Sequence, residues 1–283
     1  VTLSGLFDKK ILSDLYKQYL IECFSSKLQS EKRRLFSNLS KLGPILGLDD
    51  EEIQSIHSNV GVSIYQRFLS QSLSKGYLDN SDTTFLSTIQ NTLSMDNTIC
   101  NKLIKDSKKN YISLEVEKIF ASPKINSDNV TKIRKMANQF QINLEKDLNI
   151  SNEQRSKLFR IEIDGGIERG EINNQGFDII LKIQESYGLE NTAAKKILFD
   201  CVNTRSEGHL LNAIASLRRG DDVGVLKELD TMLNFGALLP VKFQNSLASA
   251  KEKSQLFPLY ESNFGDSDVQ KDKLSLFKTM LDL

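Results

Sequence analysis

The chain uses one stretch twice. Sliding it by 94 residues lays Lys75-Gly76-Tyr77-Leu78-Asp79-Asn80 on Arg169-Gly170-Glu171-Ile172-Asn173-Asn174, Ile89-Gln90 on Ile183-Gln184, and Asn97-Thr98 on Asn191-Thr192. The register holds without a gap from Lys75 to Ile104, matched by Arg169 to Leu198. Seven of those 30 positions are identical (Gly76, Asn80, Ile89, Gln90, Asn97, Thr98 and Lys102), and most others keep their apolar or polar character. A self-match at fixed period marks a repeat architecture, in which no unit buries its apolar face alone.

Each copy reads as a helix, a tight turn and two further helices. Ile53, Ile56, Val60, Ile64 and Phe68 form one apolar stripe at helical spacing. Gly76 follows where a left-handed residue would end that helix, and Asn80 or Ser81 is placed to cap the next. Gly170 repeats the device, followed by Phe177, Ile180, Ile183 and Tyr187 on one helix and Ala193-Ala194, Ile197-Leu198 and Cys201-Val202 on another. The pattern predicts an all-α chain: an elongated, HEAT-like helical-repeat rod of stacked helix pairs. The expected segments are N-terminal helices over 1–41, a first copy over 42–147, a second over 148–240 and closing helices over 241–283.

In chain order, a long first helix is expected over residues 6–28, with Phe7, Ile11, Leu15, Tyr19 and Phe24 available for burial. A charged hinge follows at 30–34, then a helix kinked at Gly43-Pro44 and a helix start at Asp49-Asp50-Glu51-Glu52. After the first copy come a short helix over 111–121, a loop over 122–127 and an apolar seam from Val130 to Leu148. Helices are expected over 209–219 and 221–235, the second capped by Asp221, and three short ones over 243–250, 255–263 and 268–281.

Lys plus Arg and Asp plus Glu both total 37, so the chain carries no net charge. A nucleic-acid partner, which needs a basic face to displace counterions, is not expected. No segment approaches the roughly 20 apolar residues of a membrane-spanning helix. The chain opens on Val1, which suggests a piece of something longer. Cys23, Cys100 and Cys201 lack metal-type spacing and suit a reducing compartment as buried core thiols.

No catalytic, cofactor or metal site is expected. His57 and His209 stand alone, without HxxxH spacing. Placing Gly170 at position 6 of a calcium loop puts Gly165, Ile167, Arg169 and Gly176 at ligand positions; for Gly76 they are Gln71, Leu73, Lys75 and Asp82. One carboxylate in eight positions is no calcium site. Gly165-Gly166 is read as a bend in a helix, since it follows no strand.

The stretch Leu42-Gly43-Pro44-Ile45-Leu46-Gly47-Leu48-Asp49-Asp50-Glu51-Glu52-Ile53-Gln54-Ser55-Ile56-His57, with Ile64-Tyr65-Gln66-Arg67, resembles the large stromal helical-repeat subunit of the translocon at the inner chloroplast envelope. Leu210 to Arg219, Leu226 to Leu233, Leu256-Phe257-Pro258-Leu259-Tyr260 and Lys273 to Leu281 are similar to the closing part of that family's chain. The resemblance covers most of residues 42–283 and points to the C-terminal third; the first 40 residues match poorly. It implies a non-enzymatic scaffold facing the stroma, held to the inner envelope membrane through an anchor outside this segment. Its implied partners are preproteins and their transit peptides, stromal chaperones and other translocon subunits. Read from the residues alone, the chain could equally be a helical-repeat adapter unrelated to import. The expected ligand surface is the middle of the chain, between the helix at Ile53 and the one at Asp221; no motif singles out a binding residue.

Overall fold

A computed structural model describes residues 3–25, 29–172, 177–239, 243, 247–263 and 268–282; the side chains of Ser4, 29–33 and Phe177 are outside that description. The described residues form twelve α-helices after a single 3-10 turn, Leu3–Gly5, with no strand among them. Two compact units divide at Leu114 and Glu115. The first holds α1 (Lys9–Ser25), α2 (Gln29–Leu46), α3 (Asp50–Leu73), α4 (Asn80–Thr92) and most of α5 (Asn97–Ala121). The second holds α6 (Ser127–Phe140), α7 (Asn152–Glu168), α8 (Phe177–Tyr187), α9 (Asn191–Arg218), α10 (Asp222–Gly236), α11 (Ala250–Asn263) and α12 (Asp268–Leu281).

Within the first unit α1 packs on α2 and α3, and α3 on α4. Within the second, α7 packs on α6, α8 and α9, while α10 lies along α9 and receives α11 and α12. The core around α10 is apolar: Leu210, Val225, Leu229, Met232, Tyr260 and Phe277 are all buried. Gly236 allows the closest approach there, since a Cβ on it would stand 2.7 Å from Met280 Sδ. Helix starts follow the acidic pattern. Asp49 accepts from the Glu52 amide at 2.8 Å and Glu52 returns to the Asp49 amide at 3.2 Å, a reciprocal cap.

The 94-residue period is written into the hydrogen bonds. Ser94 and Gly188 occupy equivalent positions, and both adopt positive φ, +49° and +59°. Their helices end alike: Ser94 N to Asn91 O at 3.2 Å and Met95 N to Gln90 O at 3.0 Å, matched by Gly188 N to Glu185 O at 3.0 Å and Leu189 N to Gln184 O at 3.3 Å. The identity at Gln90 and Gln184 now has a cause. Each side-chain amide donates across the turn, to Met95 O at 3.3 Å and Leu189 O at 3.0 Å. The shared Ile89 and Ile183 are both buried, and Cys100 and Ala194 fill equivalent small-residue positions.

The period also reaches further back than the sequence match. Gly47 (φ +71°) and Gln141 (φ +57°) are 94 residues apart. Both close their helices with the same pair of bonds, from Gly47 N to Pro44 O and Leu48 N to Gly43 O, and from Gln141 N to Asn138 O and Ile142 N to Ala137 O. Helices α2 to α5 therefore correspond to α6 to α9, four helices per period.

Several local expectations change. In α1 the buried stripe is Leu12, Tyr16, Leu20 and Cys23, whereas Phe7, Ile11 and Leu15 are exposed. Tyr19 and Phe24 are half-buried; both stripes have helical spacing, and packing on α2 and α3 selects the one that is buried. Residues 30–34 are not a hinge but part of α2. The helix expected over 111–121 is the end of continuous α5, since no Gly or Pro interrupts 97–121. Residues 209–219 likewise end continuous α9, which absorbs Gly208 at a cost of about 1 kcal/mol. The seam from Val130 stops at Phe140, where Gln141 turns the chain. Asp79, not Asn80 or Ser81, caps α4. Gly165-Gly166 does not break α7, which runs on to Glu168. Cβ atoms there would meet Ser127 Cβ at 2.4 Å and Ile172 Cδ1 at 2.7 Å, so the pair admits close packing. The helix expected over 243–250 does not form where it is described: Phe243 and 247–249 are non-helical, and the next helix begins at Ala250. The capping pair Asn173-Asn174 and residues 244–246 lie outside the described residues.

Candidate interaction surface

Residues 83–95, between Asp82 and Asp96, contain no charged side chain. They form most of α4 and the turn after it. Leu86 and Ile89 point inward and are buried. On the outer face Thr84, Thr88 and Thr92 stand one turn apart. Each donates its hydroxyl proton to a carbonyl of its own helix: Thr84 to Asn80 O at 2.7 Å, Thr88 to Thr84 O at 2.9 Å and Thr92 to Thr88 O at 2.7 Å. The hydroxyl protons of this row are thus all taken up within its own helix.

Facing that row are Cys23 and Phe24 at the end of α1 and Phe36 on α2. With α4 they enclose a groove of about 1010 Å³ inside the first unit. Phe24 and Phe36 meet edge to face at 5.1 Å between centroids, as do Phe68 and Phe85 at 5.2 Å. Phe85 remains 39% exposed. The described lining carries no charge, and its polar groups Asn80 and Ser81 lie at the N-terminal end of α4. Just beyond, Lys75 pairs with Asp79 and Asp82, both at 2.6 Å. The Lys75 ammonium and the Asp82 amide hold the Asp79 carboxyl down at about 2.

The second unit answers the same problem with charge. At the positions equivalent to Thr84, Thr88 and Thr92, α8 carries Asp178, Lys182 and Ser186; Asp178 and Lys182 are exposed. Asn138 of α6 donates to Ser186 Oγ at 2.9 Å. Below, buried Glu162 accepts from Arg134 Nε at 2.9 and 3.0 Å and from the Tyr187 hydroxyl at 2.8 Å. Burial, with Glu162 as hydrogen-bond acceptor, pushes the Tyr187 phenol well up, so it stays a donor. Arg155, also buried, donates to the carbonyls of Tyr187 and Gly188, each at 2.7 Å, and fixes the end of α8. This cluster is a clamp on α6, α7 and α8, with each charge matched.

The singled-out residues take structural places. His57 Nε2 lies 3.0 Å from the Tyr16 hydroxyl, with the rings stacked, and burial lowers its pKa. His209 Nδ1 lies 2.6 Å from Glu228. All three thiols are buried and free; desolvation raises Cys23 and Cys201 to about 11 and shifts Cys100 in the same direction. The groove draws on α4, inside the expected middle region, but also on Cys23 and Phe24, outside it. The uncharged run 83–95 was the sequence signal for it; the facing wall has no such mark.

Comparison with known proteins gives these features a lineage. A match to the family described as Tic110, chloroplast envelope transporter, spans residues 2–239. The chain is 23% identical over 260 residues to Protein TIC110, chloroplastic, of Arabidopsis thaliana, covering 88% of this chain and 25% of that one. It is 21% identical to the protein of the same name from Pisum sativum, covering 99% of this chain and 28% of that one. It therefore spans about a quarter of the length of these relatives. A solved structure of a chloroplast inner membrane protein TIC110 superposes with a TM-score of 0.55 at 29% identity, covering 99% of this chain and 89% of that one. No helix among the described residues is long and apolar enough to cross a membrane. With a family match over most of its length and a solved relative of the same fold, the chain belongs to the Tic110 family of chloroplast envelope transporters.

Proposed function

We propose that this chain is a stroma-facing, non-enzymatic scaffold of the inner-envelope import machinery, which receives arriving preproteins and passes them to stromal chaperones. The family match over residues 2–239 carries the reading. The fold supports it: four-helix units offer extended side-chain surface for polypeptide ligands. The balanced charge suits contacts made through apolar residues set among charges, without one strongly charged trough. Other translocon subunits are expected neighbours of the chain.

Immobilised chain incubated with stromal extract and a labelled preprotein tests this. Saturable recovery of the preprotein and of stromal chaperones is the expected result. Recovery of neither, with the chain folded by circular dichroism, would overturn the import role and leave a helical adapter of another kind.

A further inference from the structure

The two copies treat one helix face in opposite ways. In the second, the outer face of α8 carries solvated Asp178 and Lys182. In the first, the matching positions are Thr84 and Thr88, whose hydroxyl protons are already donated to their own helix, beside half-exposed Phe85 and a groove of about 1010 Å³. Solvent contact alone does not call for that exchange; Asp178 and Lys182 show that charge is tolerated at this place in the unit.

We infer that the α4 groove holds an amphipathic α-helix of another polypeptide, bound through an uncharged apolar stripe. The inference rests on the preprotein reading above and names where and in what form the arriving chain is held. Charge complementarity selects the stripe. A charged side chain in the groove would lose hydration and find no counter-charge among the described lining residues. Hydrogen bonding selects the conformation. An extended segment needs donors for its carbonyls, yet along α4 the threonine hydroxyl protons are already given to the helix, and Asn80 and Ser81 serve only one end. A helix satisfies its own backbone and needs from its host only shape and apolar surface. Phe24, Phe36 and Phe85 supply the aromatic contacts that dominate such grooves.

The test uses the whole 283-residue chain and a fluorescent peptide of about 18 residues, apolar at i, i+3, i+4 and i+7 with charges confined to the opposite face. The variant Thr84→Asp/Thr88→Lys installs the second copy's residues at exposed positions, so its melting temperature should stay close to that of the parent. Expected are saturable binding by anisotropy, weakening of about tenfold or more in the variant, and comparable loss when proline or lysine enters the peptide's apolar stripe. Equal binding by parent and variant, or by the proline-broken peptide, would overturn the inference. So would a parent that sediments as a dimer and a variant that sediments as a monomer, since the groove would then hold a second copy of the chain. Preprotein recovery by both parent and variant would remove the groove but keep the import role; recovery by neither would remove both.

Discussion

Single side chains decide where these helices can meet. Gly166 lies against Ile172, whose Cδ1 would stand 2.7 Å and Cγ1 3.0 Å from an added Cβ. Gly166→Ala should therefore destabilise the chain by about 1–3 kcal/mol despite the better helix propensity of alanine, read as a lower midpoint in urea. Unchanged stability would show that Ile172 yields freely. The thiols give a second residue-scale expectation. Cys23, Cys100 and Cys201 are buried, and two of them are raised to about 11, so few are thiolate near neutral pH. The folded chain should resist a thiol reagent and release three equivalents only in denaturant; reaction of any one on mixing would contradict the burial. Asp79 adds a pH dependence. Its folded pKa, about 2, lies below the unfolded value of about 3.9. Its contribution is thus fully present above the unfolded value and fades as pH falls toward the folded one. The stability gap between the parent and Asp79→Asn should be open at neutral pH and narrow below about pH 4; a gap independent of pH would place the effect in the cap geometry alone.

At the scale of helices, the clamp of Arg134, Glu162 and Tyr187 should behave as a unit. Arg134→Met leaves the Glu162 carboxylate buried without its guanidinium, a change that costs about 3–5 kcal/mol in buried pairs. Arg134→Met with Glu162→Leu should cost less than Arg134→Met alone, and additive losses would refute the coupling. Ser40, Phe68 and Leu93, the first-copy counterparts, show that the fold can be closed there without charge. None of this was visible beforehand, because Arg134 and Glu162 stand 28 residues apart on different helices. The helix ends at Gly76, Gly170 and Gly220 were legible, and all three adopt positive φ. So were the acidic helix start at Asp49 and the Asp221 cap. The face of α1 was not, because two apolar stripes share its spacing and only the partner helices choose between them. The continuity of α5 and α9 was obscured by charged and polar runs at 105–109 and 203–209, which a solvated helix face carries as readily as a loop.

At the scale of the whole chain, the repeat and the helices of the described residues belong to a member of the Tic110 family. The groove sits where the first copy has threonines and phenylalanine in place of the solvated charges of the second. The most direct test is a preprotein carrying photoreactive side chains, added to this chain, irradiated and mapped by mass spectrometry. The account predicts adducts concentrated on residues 80–92, and their loss in Thr84→Asp/Thr88→Lys. Adducts confined to residues beyond 255, or equally abundant in parent and variant, would contradict it.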